Sequence, residues 1–266
     1  MIWPVYHIAS GQSFFSGILL VLVSVFLTAS EGRMARSLAF VFFVLGTVAV
    51  YVSSAGLPFP LYAVAGAAIL FWLIAVLSGR WRFPAGVFLV LVGVSAVATE
   101  LPYHSGGSLK GAGSARSFAV IGDSITAGIG RLEASRRWPR LLDERHQLEI
   151  QDLSRAGATV GSALKRVEER SRIDSPVVIL EIGGNDLIRL TPPDVFERRL
   201  ELLILKVMAP GRQLIMFELP LPPFRHSYSR TQRTLARKYG ITLIPKRFFL
   251  DILAEESATV DSIHLS

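Results

Sequence analysis

An all-α membrane region of four spans, followed by an α/β domain whose parallel sheet is covered by helices on both faces, is the architecture this sequence predicts. Three observations lead to it. The 266 residues are 51% hydrophobic and only 18% charged, with a mean hydropathy of +0.45. Between Met1 and Glu100 the only charged side chains are Glu31, Arg33, Arg36, Arg80, Arg82 and Glu100. After that point, short apolar runs alternate with amphipathic ones, and three of the apolar runs end in blocks rich in Gly, Ser, Asn and Asp. The predicted division is 1–100 for the membrane region, 101–115 for a flexible linker and 116–266 for the α/β domain.

The spans are read as Phe14–Ser30, Ser37–Ser54, Leu61–Ser78 and Pro84–Thr99. Each is near the short end of what a bilayer requires, which predicts little tilt. None shows the polar face that a buried helix of a soluble protein carries. No basic leader precedes the first run and three more runs follow it, so it is not read as a signal peptide. Arg33 and Arg36 lie between the first two runs, and Arg80 and Arg82 between the last two. Both basic loops fall on one side, which is cytoplasmic by the positive-inside rule. Met1–Ser13 and Ala55–Pro60 carry no Lys or Arg and belong outside. Four spans then deliver the second half to the outside, the periplasm of a Gram-negative cell, from a multi-pass inner-membrane anchor. Tyr62, Trp72 and Trp81 are candidate interfacial anchors. No paired charge lies deep in a span, so no transport path is predicted.

Leu101–Ala115 contains Pro102, Ser105-Gly106-Gly107-Ser108 and Gly111-Ala112-Gly113-Ser114, a tether composition. Beyond it, strands are predicted at Phe118–Ile121, Leu148–Leu153, Val177–Ile182, Leu214–Leu219 and Thr242–Ile244, with Val177–Ile182 the strongly apolar one. Helices are predicted at Trp138–Arg145, Val160–Ser171, Pro193–Met208 and Ser229–Tyr239. Asp194 and Glu197 favour the start of the third helix through its dipole, and Gly240 caps the fourth. Such alternation implies a parallel sheet.

Four blocks carry the chemistry. They are Gly122-Asp123-Ser124-Ile125, Ser154-Arg155-Ala156-Gly157-Ala158-Thr159, Glu181-Ile182-Gly183-Gly184-Asn185-Asp186 and Asp261-Ser262-Ile263-His264. The first three follow predicted strands, and in a parallel sheet all carboxyl ends meet at one edge. Each block supplies a different part of an acyl-transfer site. Ser124 can attack, His264 can take its proton, and Asp261, three residues away, can orient the imidazole. Gly157 lets its backbone N–H approach an oxyanion, and Asn185 offers a side-chain amide for the same purpose. As a plain alternative, Asp123 and Ser124 are residues that commonly cap helices.

These blocks, in this order, resemble those of the SGNH (GDSL) hydrolase superfamily, and Ile179–Asp186 is similar to its lysophospholipase/arylesterase branch. The resemblance covers the chain from about Ser117 to the end and leaves the membrane half unexplained. It implies a flavodoxin-like three-layer α/β/α sandwich and a triad of Ser124, Asp261 and His264. The implied oxyanion hole consists of the Ser124 and Gly157 N–H groups and the Asn185 amide, with no metal or organic cofactor. Family members often carry Gly after the Asp of the fourth block and Pro after its His, where this chain has Ser262 and Leu265. They also usually continue into a final helix. Here two residues follow His264, which predicts either a shortened chain or a base on a fraying end.

The remaining polar residues have plainer readings. Asp123 and Asp186 are expected to hold their turns. Glu181, inside an apolar strand, is expected to meet a nearby donor, because burial alone would raise its pKa. His7, His104, His146 and His226 lack ligand spacing and read as surface or linker residues. Arg131, Arg136, Arg137 and Arg140 read as a solvated face, and Pro220–Phe224 as a rigid loop or an acyl-pocket lining. The absence of cysteine excludes disulfides and thiolate metal sites. The net charge of +7 is read as a solvated basic surface, with no nucleic-acid partner. The expected function is a membrane-anchored serine esterase acting on a lysophospholipid, an acylated glycan or a small ester. The alternatives are an acyltransferase with the same triad and a non-catalytic binding module. Oligomeric state is left open.

Overall fold

The computed structural model describes residues 2–30, 32–106, 115–128, 137–169 and 172–254. They form two units, one of residues 2–105 with 221–226 and the other of residues 106–220 with those from 227 onward.

In the first unit, α1 (Trp3–Ala9) and α2 (Gln12–Leu27) meet at an 87° bend. The chain turns there at Gly11, whose φ is +85°. Next come α3 (Arg33–Val52), α4 (Phe59–Ser78) and α5 (Arg82–Ser105). The last three are each long and apolar enough to cross a membrane, and the bent pair makes a fourth if counted as one span. The 16 residues of α2 alone reach only about 24 Å against a hydrocarbon core of about 30 Å. α1 was not foreseen, because Trp3–Ala9 mixes polar and apolar residues without a long run. α5 continues through Pro102 to Ser105, five residues into the stretch read as tether.

Phe43, Trp72, Ala68, Ala75, Ala85 and Leu89 pack together in the interior of this unit, while Leu19, Phe40, Leu70 and Leu91 face outward. α2 and α3 cross at Gly17 and Gly46, where a Cβ on either glycine would lie 2.7 Å from the other's carbonyl oxygen. Residues 53–57 of the α3–α4 loop are buried. Ser54 Oγ donates to Ala9 O at 2.7 Å and Tyr62 Oη to Ala55 O at 3.0 Å. Leu221–His226 clusters with this unit. The Phe224 ring lies against Tyr51, and His226 stacks on Tyr62 with its Nε2 2.7 Å from Ser53 O. His7 contacts Ser16 Oγ and Gln12 Oε1. His7 and His226, read from the sequence as surface or linker residues, are half-buried and have polar partners here.

The second unit is built on five parallel strands in the order β2-β1-β3-β4-β5. They are β1 (Ser117–Gly122), β2 (Glu149–Asp152), β3 (Val177–Glu181), β4 (Gln213–Phe217) and β5 (Thr242–Ile244). The apolar runs become strands because both faces are covered: Ala119, Val120, Ile121, Val178 and Leu180 are fully buried. Between them lie α6 (Ser124–Ala127), α7 (Trp138–His146), α8 (Val160–Glu169), α9 (Gly184–Ile188), α10 (Pro193–Val207) and α11 (His226–Tyr239), and α12 (Lys246–Ala254) follows β5. In α10 the residues Phe196, Leu200, Leu203, Ile204 and Val207 form one stripe and are fully buried.

The strand order determines where the site lies. From β1 the chain steps to one side to form β2, then crosses back over β1 to β3 and continues outward. Right-handed crossovers then put α7 on one face and α8, α10 and α11 on the other. Direction reverses between β1 and β3, so their carboxyl ends flank a topological switch point, where doubly wound sheets take their ligands.

Candidate active site

The structure brings the first three blocks together at this switch point. β1 and β3 pair in register as far as Gly122 with Glu181, so the chain leaves both strands side by side. Asp123 N–H donates to Glu181 O at 3.2 Å. Ser124 is the first residue of α6, and Asp123 Oδ1 accepts from Ile125 N–H at 3.1 Å. The cap expected of Asp123 is therefore present, and it is the feature that turns Ser124 out of the strand.

The third block reaches the first through Asn185, whose Nδ2 donates to Asp123 Oδ2 at 3.3 Å. The second block is fastened to both. Arg155 N–H donates to Gly122 O at 3.1 Å, Val160 N–H to Asp186 Oδ2 at 2.7 Å, and Arg189 Nη2 to Gly157 O at 3.3 Å. Gly157 has φ +73°, a left-handed turn that glycine adopts without strain. Asp186 is fully buried. Burial pushes its carboxyl pKa up, while the Val160 N–H and the Thr191 hydroxyl draw it back down. Its role is the expected one of holding a turn, here across two loops.

Glu181 has the donor that its position required. Its Oε2 accepts from Thr126 Oγ1 at 2.9 Å, and Thr126 Oγ1 in turn accepts from Trp138 Nε1 at 3.3 Å. Burial raises the Glu181 pKa well above the ordinary carboxylate value, and the nearby Asp123 charge raises it further. Asp261 and His264 lie outside the described residues, as do Arg131 and Arg136.

The profile of the GDSL-like Lipase/Acylhydrolase family matches residues 120–266, more than half of the chain. The chain belongs to this family. Esterase TesA of Pseudomonas aeruginosa is 30% identical over 148 residues, covering 52% of this chain and 72% of its own. Thioesterase 1/protease 1/lysophospholipase L1 of Escherichia coli is 27% identical over 180 residues, covering 65% and 77% respectively. The crystal structure of TesA aligns with 27% identity and a TM-score of 0.49 over 56% of this chain and 89% of that one. This GDSL-family chain is a carboxylic ester hydrolase.

Sequence reasoning missed two features of the GDSL domain. One is the Trp138–Thr126–Glu181 chain of donors. Thr126 sits two residues after Ser124, and the only sign of its role was an acidic residue inside an apolar strand. The other is a buried cluster beyond β4. Glu218 Oε1 accepts from Arg233 Nε at 2.6 Å and lies 3.9 Å from Lys246 Nζ, and it also accepts from Ser229 Oγ at 2.5 Å. Burial alone would push the Glu218 pKa up, but Lys246 and Arg233 bring it below the ordinary value. The cluster ties α11 and α12 to the end of β4.

Proposed function

We propose that this GDSL-family hydrolase is a membrane-anchored serine esterase in which Ser124 is the nucleophile. Ser124 Oγ attacks the ester carbonyl while His264 takes its proton, with Asp261 holding the imidazole. The tetrahedral oxyanion is met by the Ser124 and Gly157 N–H groups and Asn185 Nδ2. Collapse expels the alcohol, protonated by His264, and leaves an acyl-enzyme. Water activated by His264 then releases the acid and regenerates Ser124. The observation that carries this reading is the convergence of three remote loops on the Ser124 turn, with the Asn185 amide 3.3 Å from Asp123 Oδ2.

The anchor is assigned to residues 1–105, where α5 ends, the tether to the stretch from there to 115 and the hydrolase to 116–266, with the hydrolase outside the cytoplasm. The substrate is an ester found there: a lysophospholipid, an O-acylated glycan or a small ester. The esterase and lysophospholipase names of the relatives support the ester and lysophospholipid parts of this range. The test uses a fluorophosphonate probe on the full chain in detergent. Wild type is labelled and hydrolyses an aryl ester, Ser124→Ala does neither, and His264→Ala is labelled far more slowly. A folded wild-type chain that takes no label refutes the assignment. For topology, an alkaline phosphatase fusion after Gly113 is active, and activity of a cytoplasmic reporter alone at that position refutes the placement.

A further inference from the structure

Two carboxyl groups share the turn that carries Ser124, and the mechanism uses neither of them. Asp123 has a donor on each oxygen: Ile125 N–H at 3.1 Å on Oδ1 and Asn185 Nδ2 at 3.3 Å on Oδ2. Both oxygens thus accept a hydrogen bond, the situation of an ionised carboxylate. Glu181 is differently placed. It is 5% exposed, and its two donors among the described residues, Thr126 Oγ1 at 2.9 Å and Asp123 N–H at 3.4 Å, converge on Oε2. Among the described residues, the groups that act on it are Asp123 from the β1–α6 turn and Thr126 from α6, and no cation is among them. Trp138 of α7 reaches it only through Thr126. A second negative charge here would be desolvated, unpaired and close to a neighbouring carboxylate, an arrangement that drives one of the two to keep its proton.

We propose that Glu181 is a neutral positioning acid: it keeps its proton on Oε1 through turnover, leaves the single negative charge of the pair on Asp123, and uses Oε2 to hold Thr126 and the Asp123 N–H beneath the nucleophile. The raised Glu181 pKa agrees with this geometry. Neutrality has a further use. An anion beside the turn would repel the oxyanion that forms during attack, weakening the donors aimed at it. The helix that begins at Ser124 is thus fastened at both ends, by Asp123 through the Ile125 N–H and by Glu181 through Thr126, with only one charge.

The inference rests on Ser124 as the nucleophile, so its test includes a measurement that needs no activity. The full chain in detergent is compared with Glu181→Gln by difference infrared spectroscopy, both in a Ser124→Ala background. At neutral pH the spectrum shows the C=O stretch of a protonated carboxyl that Glu181→Gln lacks, and in wild type this band disappears in strong alkali. Carboxylate bands alone at neutral pH overturn the proposal, whether or not the chain hydrolyses any ester. In the active background, Glu181→Gln, a neutral isostere, keeps kcat/KM for an aryl ester within about threefold of wild type, while Glu181→Ala loses about tenfold or more. Equal losses in the two variants also overturn it. If wild type hydrolyses no ester, the nucleophile assignment fails while the infrared result still decides the state of Glu181.

Discussion

Gly122→Ala tests how tightly the turn that carries Ser124, the proposed nucleophile, is packed. A Cβ on residue 122 would lie 2.5 Å from Thr126 Oγ1, 2.6 Å from Thr126 Cβ and 3.1 Å from Glu181 Oε2. Real contacts of this kind stay beyond 3.0 Å, so Thr126 must move by about 0.5 Å or more. It cannot move alone, because Thr126 belongs to the four-residue helix that starts at Ser124. Overpacking of this kind costs about 1–3 kcal/mol. In a domain of this size, that lowers Tm by about 2–4 °C per kcal/mol. The effect on catalysis is larger in proportion, since a misplacement of about 1 Å costs about a hundredfold in rate. A shift of half that size gives about tenfold, and the full loss lies between about tenfold and a hundredfold in kcat with KM little changed. The assay is aryl-ester turnover together with the rate of fluorophosphonate labelling and Tm. Gly66→Ala on α4, where a Cβ meets nothing within 4 Å, serves as the control and changes none of them. A Gly122→Ala enzyme with kcat within about twofold of wild type refutes the reasoning. If Tm falls while kcat is kept, Thr126 packs there but does not place Ser124.

Asn185→Ala lowers kcat by about a hundred- to a thousandfold with KM near wild type, because in the proposed mechanism it removes one oxyanion donor; steady-state kinetics on an aryl ester check it. Glu218→Gln breaks a pair in which Glu218 is 0% and Arg233 2% exposed. It leaves buried cations uncompensated, a loss of about 3–5 kcal/mol readable by thermal denaturation. Since the folded pKa of Glu218 is lowered, its contribution is present above the ordinary carboxylate value. That contribution is lost as the pH falls through the folded value, so the stability gap between wild type and Glu218→Gln narrows in acid. For Glu181 the sign is opposite. Its folded pKa is raised, so wild type loses stability as the pH rises from the ordinary carboxylate value towards the raised one. Glu181→Gln escapes that loss, and its Tm advantage over wild type grows across this window.

The strands and the three loop blocks were legible in the sequence because their signals are local. A continuous apolar run such as Val177–Leu180 has only one comfortable place in an α/β domain, and the Gly and Asp residues that follow it stop the strand and turn the chain. Short or mixed elements were not legible. α9 is five residues long and lies within a block read for its chemistry. α12 starts directly after Pro245, where an Arg-Phe-Phe-Leu run fits a strand as well as a helix. The long helices of the first unit were legible as apolar runs, but their ends were not. Pro102 reads as a helix stop, yet the last turn of α5 runs on past it to Ser105.

The supports of the site were hidden for a different reason. Glu181 and Thr126 are 55 positions apart, and Glu218 and Arg233 are 15 apart. Only the register of β1 on β3, and of α11 against the end of β4, makes them neighbours. A sequence can still announce such pairs by a violation, and both strands do so. Each is an apolar run with a carboxyl at or just past its end, Glu181 in one and Glu218 in the other, a position that burial makes costly. The two resolve that cost in opposite ways. Glu218 lies near two cations, and its pKa is lowered. Glu181 faces a second carboxyl and a hydroxyl, and its pKa is raised. Of these two, Glu181, which has no cation beside it among the described residues, lies under the Ser124 turn, where an added charge would act on the proposed reaction as well as on the fold.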